Sequence, residues 1–169
     1  MLTAEDIIQL LGLKPHPKEG GYFKEIYRSD ETIPLSCLPK RYTADKSFST
    51  AIYYLLTPET FSAIHKLDTD EIFHFYLGDP VTLLQLLPNG SSQQLTLGSN
   101  IAKGEHLQLV VEKDVWQGSF LNEGGQFALL GTTVAPGFDF SGYTHGDREE
   151  LIQKYPNEKD LITRLTRNN

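Results

Sequence analysis

Cysteine, methionine and tryptophan are almost missing from this chain, with one of each in 169 residues. A lone Cys37 cannot close an internal disulfide, so nothing in the sequence asks for an oxidising compartment. Positive charge is scarce as well. Fifteen Lys and Arg stand against 22 Asp and Glu, a formal net charge of −7. With no basic run to neutralise phosphates, nucleic acid is excluded as an expected partner. No apolar run approaches membrane-spanning length, and the opening MLTAEDIIQLLG carries acids where a signal peptide would carry basic residues. These absences point to a cytoplasmic protein with no membrane partner. Hydrophobic residues make up 39% of the chain, charged residues 22%, and 18 residues are aromatic. That is a globular composition, and the length suits one domain with a core of its own.

The segment TAEDIIQLLG reads as a short helix, capped by Thr3 with Asp6 three residues on and ended by Gly12. From Gly20 the texture changes to short aromatic and β-branched runs: GYFKEIYRS, STAIYYLL, FSAIHKL, EIFHFYLG, VTLLQLL, SQQLTL, LQLVV, GSFL and FALLGTTV. Turn formers such as TPET, DTD, GDP, PNGSS and NEGG separate them. Nine closely spaced short strands predict an antiparallel all-β sandwich or barrel. The end returns to helix in DREELIQKY, with Asp147 as cap, and in NEKDLITRLT.

The most informative stretch is HKLDTDEIFHFYLG, residues 65 to 78, which holds two histidines, three acids and a closing glycine. Its spacing resembles the first motif of the cupin superfamily, His-x-His followed by Glu and then Gly, with Leu67 where the second histidine belongs. EKDVWQ keeps the spacing of the second cupin motif with every signature residue changed: Glu112 for Pro, Asp114 for Gly and Gln117 for His. EGGYFKEIYRS, STAIYYLL, DEIFHFYLGDP, VWQ and VAPGFDF together resemble a narrower, uncharacterised RmlC-like group of cupins, a domain of unknown function related in fold to dTDP-sugar epimerases. The resemblance runs from about Gly20 to Phe140. It implies a double-stranded β-helix (jelly-roll) over residues 20–140, with short helices at either end of one cupin domain spanning 1–169.

The resemblance also implies where chemistry would lie. Four positions that bind a transition metal in other cupins read here His65, Leu67, Glu71 and Gln117. Leucine offers no lone pair and Gln is a weak neutral donor, so no metal and no other cofactor is expected. The related epimerases work without metal, with a histidine as base and a tyrosine as acid. His65 is accordingly the candidate base, since imidazole titrates near working pH, and Glu71 its orienting partner. Glu25 and Tyr27, on one face of the strand GGYFKEIYRS, are candidate ligand-binding groups, with His74 and Gln117. Period-two alternation puts His74 opposite Glu71, so a pocket role competes with a structural one. Asp139 is read as lining the cavity mouth or capping a turn. His16, His106 and His145 read as surface residues, and Gly20 and Gly21 as turn formers.

The expected function is isomerisation or epimerisation of a small polar molecule, with a non-catalytic ligand-binding module and a weak-metal lyase or dioxygenase as alternatives. A homodimer is expected, with Leu161, Ile162 and Leu165 as one contact stripe.

Overall fold

The computed structural model describes residues 2–167. Helix α1 (Ala4–Leu11) leads into strands β1 (Lys14–Pro15), β2 (Tyr22–Arg28), β3 (Thr32–Ile33), β4 (Lys46–Ser47), β5 (Thr50–Leu56), β6 (Phe61–Leu67) and β7 (Glu71–Gly78). There follow β8 (Val81–Leu86), β9 (Ser92–Leu97), β10 (Gln108–Val111), β11 (Trp116–Leu121), β12 (Ala128–Val134) and β13 (Tyr143–His145), then helices α2 (Arg148–Lys154) and α3 (Lys159–Arg164). All nine runs that read as strands form strands. The four others, β1, β3, β4 and β13, are two or three residues long, too short to carry an alternation signal.

The strands make two antiparallel sheets in the orders β1-β2-β5-β12-β7-β10 and β13-β6-β11-β8-β9, with β3 and β4 as a separate pair. This is the expected all-β jelly-roll with short terminal helices. Alternation explains the core. Along β7, Phe73 and Phe75 turn inward while Ile72 and Tyr76 stay exposed. The inward side chains of both sheets meet in one cluster that includes Tyr54, Leu56, Phe73, Leu83, Val111 and Leu130.

Helix α1 carries the expected capping box, with Asp6 N–H donating to Thr3 Oγ1 and Thr3 N–H to Asp6 Oδ2, and left-handed Gly12 ends it. Asp147 accepts from Glu150 N–H to start α2. The two C-terminal helices lie on the outer face of the second sheet, where Leu151, Tyr155, Ile162 and Leu165 pack on Ile64, Leu84 and Leu86. Ile162 and Leu165 are 0% exposed. The stripe read as a dimer contact is therefore covered by the chain's own sheet, because β6 and β8 present apolar residues on both faces. Among the described residues no helix is long and apolar enough to cross a membrane.

Candidate functional site

A cavity of about 330 Å³ opens between the two sheets. Phe23, Ile52, Leu67, Phe73, Val134 and Phe140 supply much of its wall. Its polar groups come chiefly from His16, Glu19, Glu25, Arg28, Glu71 and Asp139.

Glu19 reaches the cavity because the chain is pinned on either side of it. Its carbonyl accepts from Ala63 N–H at 2.9 Å and from Arg167 Nη2 at 3.1 Å. Gly20 and Gly21 follow with φ of +98° and +66°, and a Cβ on Gly21 would stand 2.7 Å from Leu55 O, so only glycine suits this turn. The two glycines thus serve turn geometry, as their sequence suggested. Tyr54 closes the corner by donating its hydroxyl to Gly20 O at 2.8 Å.

Two histidines face the Glu19 carboxyl, and the bonds on their far nitrogens fix their tautomers. His16 Nδ1 accepts the Glu19 backbone N–H at 2.9 Å, so the neutral ring carries its proton on Nε2, 3.7 Å from Glu19 Oε1. His65 Nδ1 lies 2.8 Å from Ala63 O, a carbonyl that can only accept. Its proton is therefore on Nδ1, and the bare Nε2 lies 3.7 Å from the same Glu19 Oε1. The Tyr143 ring stacks on His65 at 5.1 Å.

Burial pushes the Glu19 carboxyl up to about 8, against an opposing hydrogen bond with Ser62. Burial also holds His16 down to about 4, helped by His65 and by the charges of Arg167 and Lys18. His65 is lowered by burial too, with the Glu71 carboxyl and the Ala63 bond pulling the other way. At neutral pH the acid keeps its proton and the imidazole beside it has none to release from Nε2, the reverse of their order in water.

Glu71 points into the cavity and is raised by burial, against the pull of His65 and the hydrogen bonds with Thr132 and Gln117. Gln117 Nε2 donates to Glu71 Oε2 at 2.6 Å. At the mouth, Arg28 clamps Glu25 through Nε at 3.0 Å and Nη2 at 2.8 Å, and also donates to Phe138 O. Lys46 Nζ donates to Asp139 Oδ2 at 2.6 Å, with Asp68 Oδ2 3.8 Å away. Asp139 therefore lines the mouth and also caps the turn that follows, accepting from Ser141 N–H.

The structure brings His65, Glu71, Gln117 and Glu25 together in or behind this cavity, but two candidate residues lie elsewhere. A bulge in β2 pairs Glu25 with Ile52 and Tyr27 with Ala51. It reverses the face of everything after Ile26, sending Tyr27 outward, 54% exposed, and bringing Arg28 to the cavity. His74 is on the outer face of β7, its Nδ1 accepting from Gln108 Nε2 and its Nε2 bonded to Thr133 Oγ1, both at 3.0 Å. His65 itself is 2% exposed and stands behind Glu19 rather than at the cavity surface. His16 is not a surface residue, being 9% exposed and lining the cavity, whereas His106 and His145 are exposed.

Sequence reading missed Glu19, His16 and Arg28. The one available signal was HPKEGG, a His-x-x-Glu spacing pressed against two glycines just ahead of a strand.

The residues present do not fit a transition-metal centre. Leu67 presents only hydrocarbon to the cavity, and Glu71 Oε2 is taken by the Gln117 amide. Gln117 Oε1 and Ser119 Oγ, buried without a partner among the described residues, are weak neutral donors. Among the described residues no group of three or more His, Cys, Asp or Glu is placed to hold a metal ion.

Comparison with known proteins agrees with this architecture. Residues 5–146 match the family described as Cupin superfamily (DUF985). The uncharacterised protein YML079W of Saccharomyces cerevisiae is 32% identical over 145 residues, 80% of this chain and 72% of the yeast protein. Among solved structures, protein SO0799 from Shewanella oneidensis is similar with a TM-score of 0.88 and 32% identity over the whole of both chains. A hypothetical protein from Leishmania major is similar with a TM-score of 0.87 and 29% identity, covering 99% of this chain and 100% of that one.

Proposed function

The chain belongs to the Cupin superfamily (DUF985), and from that premise we propose that it is a metal-independent isomerase or epimerase that moves a carbon-bound proton of a small molecule. The observation that carries this reading is the reversed acid–base pair, a protonated Glu19 at the cavity surface with the bare Nε2 of His65 at 3.7 Å. Neighbouring groups whose pKa values are pushed apart or exchanged are the usual mark of proton-transfer sites.

In this scheme Glu19 hands its proton to His65 Nε2, and the carboxylate so formed takes a proton from the carbon next to a carbonyl. The ligand then carries the negative charge as an enolate and His65 the positive charge. Return of the proton from Glu19 to the opposite face, once the enolate has turned over in the cavity, gives the epimer. Where the first carbon also carries a hydroxyl, return to the former carbonyl carbon, with the hydroxyl proton passing to the carbonyl oxygen, gives the isomer. His65 then gives its proton back to Glu19. His65 serves as the base at one remove, and Glu71 with Gln117 holds the floor on its other side. The test is exchange of substrate carbon-bound protons with D₂O, read by NMR. His65→Asn and Glu19→Gln should each slow it by roughly 10²–10⁴-fold, the usual worth of a positioned base. Exchange at the wild-type rate in both variants would refute the scheme.

The competing reading is a ligand-binding module, and the enclosure of His65, at 2% exposure, is the observation in its favour. It predicts saturable binding with no exchange of any ligand's carbon-bound protons.

We further propose that two copies associate through the outer face of the first sheet. The pairings Tyr27 with Ala51, Ala51 with Thr133, Thr133 with Ile72, and Ile72 with Val110 run as one row across five strands. Tyr27, Ile72 and Val110 in that row are 54%, 37% and 53% exposed. A row without charges, on a chain with net charge −7, suits a second copy of itself related by a two-fold axis. A cytoplasmic location is proposed with it, since Cys37 is a free thiol.

A further inference from the structure

We propose that the ligand of this cavity is a compact, uncharged molecule with an apolar body, such as an aryl or alkyl ketone, rather than a sugar nucleotide or a keto acid. This deepens the proton-transfer reading and rests on the same cavity, but it stands on the walls and the mouth instead of on the acid–base pair.

Size comes first. A volume of about 330 Å³ lies at the small end of the roughly 300–1,000 Å³ of ligand pockets. It suits a single ring with a short arm better than a nucleoside diphosphate.

Polarity follows from what covers the walls. Phe23, Ile52, Phe73 and Val134 face the cavity from the first sheet, and Phe138 and Phe140 from the segment that follows β12. A polyhydroxy ligand would leave without partners those of its hydroxyls that face these rings rather than the carboxyls, at the cost of desolvating each. An apolar ring or chain meets no such penalty.

Charge is the third constraint. Among the described residues, the cations that line the cavity or stand at its mouth are already paired, while Lys18 lies outside the lining, over the Phe140 ring at 4.5 Å, and Arg167 is bound to the Lys18 and Glu19 carbonyls. Arg28 has its bidentate partner in Glu25 and a further acceptor in Phe138 O. Lys46 has Asp139 and Asp68. His16 cannot gain a proton on Nδ1 without losing the backbone N–H bond that it accepts there. Glu19 and Glu71 can be neutral or negative but never positive. An entering carboxylate or phosphate therefore finds carboxyl groups on the floor and, among the described residues that line the cavity, no unpaired Lys or Arg, inside a chain whose overall charge also repels it. A ketone oxygen needs only one donor, and the Glu19 hydroxyl or the His16 Nε2–H supplies it.

The experiment uses a matched pair of probes on the full-length wild-type protein. Phenylacetone and phenylpyruvate share a benzylic carbon acid beside a ketone and differ by a methyl group against a carboxylate. Dissociation constants are read by ligand-observed NMR at pH 7, with dTDP-glucose as the third probe. Phenylacetone should bind saturably and at least about tenfold more tightly than phenylpyruvate, a difference of roughly one decade in Kd, and dTDP-glucose should not bind. Ile52→Trp, which fills the cavity, should abolish phenylacetone binding while the far-ultraviolet circular dichroism spectrum is kept. Equal or tighter binding of phenylpyruvate or dTDP-glucose would overturn the proposal. So would the lack of saturable phenylacetone binding, or binding that survives Ile52→Trp in a folded protein. Exchange of the benzylic protons, followed in the same tubes, reports separately on chemistry. Preferred binding of phenylacetone without catalysed exchange would sink the proton-transfer scheme and leave the ligand class standing.

Discussion

Replacing Glu19 with Gln should change how stability depends on pH, by an amount set by the burial of the carboxyl. In the folded chain that carboxyl titrates at about 8 instead of 4.5. Between those two values the folded state holds a proton that the unfolded state has released, so stability falls as pH rises from 4.5 to 8. The full penalty above pH 8 is three and a half pH units at 1.36 kcal/mol each, about 5 kcal/mol. His16, held down to about 4 from 6.5, works in the opposite direction. Its contribution is present above pH 6.5 and is lost as pH falls towards 4. The two effects oppose each other from pH 4.5 to 6.5, and above 6.5 only the Glu19 effect of the pair continues. From pH 6.5 to 8 the wild type should lose about 2 kcal/mol relative to Glu19→Gln, whose amide does not titrate. For a chain of this length that widens the gap in Tm by roughly 4–8 °C across the window. Thermal melts of both proteins at four pH values between 6.5 and 8 measure it. A gap that stays constant within about 1 °C would show that Glu19 is ionised near its ordinary pKa, and the reversed pair would go with it.

Other consequences can be checked more briefly. Leu165→Ala, at a position 0% exposed between α3 and the second sheet, should cost about 2–5 kcal/mol in urea unfolding; a cost under about 1 kcal/mol would mean that the C-terminal helices are not docked there. Val110→Glu places a charge in the outer row of the first sheet and should turn a dimer into a 19.0 kDa species by light scattering. A wild type that already runs as that species at micromolar concentration removes the dimer proposal.

The fold was legible because its signals are local and periodic. All nine aromatic and β-branched runs between turn formers became strands, and the caps at Thr3, Gly12 and Asp147 sit where their chemistry put them. Glu71 faces the cavity for the same reason. The site was legible only in part, because three of its determinants are not periodic. One is the bulge at Ile26, a single extra residue that exchanges Tyr27 for Arg28 at the cavity. Another is the position of Glu19 and His16 in a segment without secondary structure, bound in place by Ala63 and by Arg167 from far along the chain. The last is depth. Motif spacing says that His65 faces inward, but not that a second side chain stands between it and the ligand. The dimer stripe failed on a related point, since α3 repeats apolar residues as any docked helix does, and only packing tells whether its own sheet already covers them.

The floor of the cavity shows how the chain keeps the Glu19 and Glu71 carboxyl groups buried with no Lys or Arg paired to them among the described residues. Leaving an enclosed carboxylate unpaired costs several kcal/mol, so each must find a proton, a cation or hydrogen-bond donors. Leu67 stands in contact with the cavity at one of the positions where related barrels place a ligand, and it can offer none of these. Gln117 does better, because its amide gives Glu71 an N–H at 2.6 Å. Glu19 is buried with Ser62 as its hydrogen-bond partner and the His16 Nε2–H held off at 3.7 Å, and so it keeps its proton. That proton is then the most mobile charge at the cavity surface, with one imidazole beside it able only to accept at Nε2 and another able only to donate there. A ligand that enters must meet this fixed order of donor, acid and acceptor. A carbon acid next to a carbonyl matches it, with an oxygen for the donor and a proton for the pair to take. A carboxylate offers only acceptors and would place a second negative charge where the site has already had to neutralise its own.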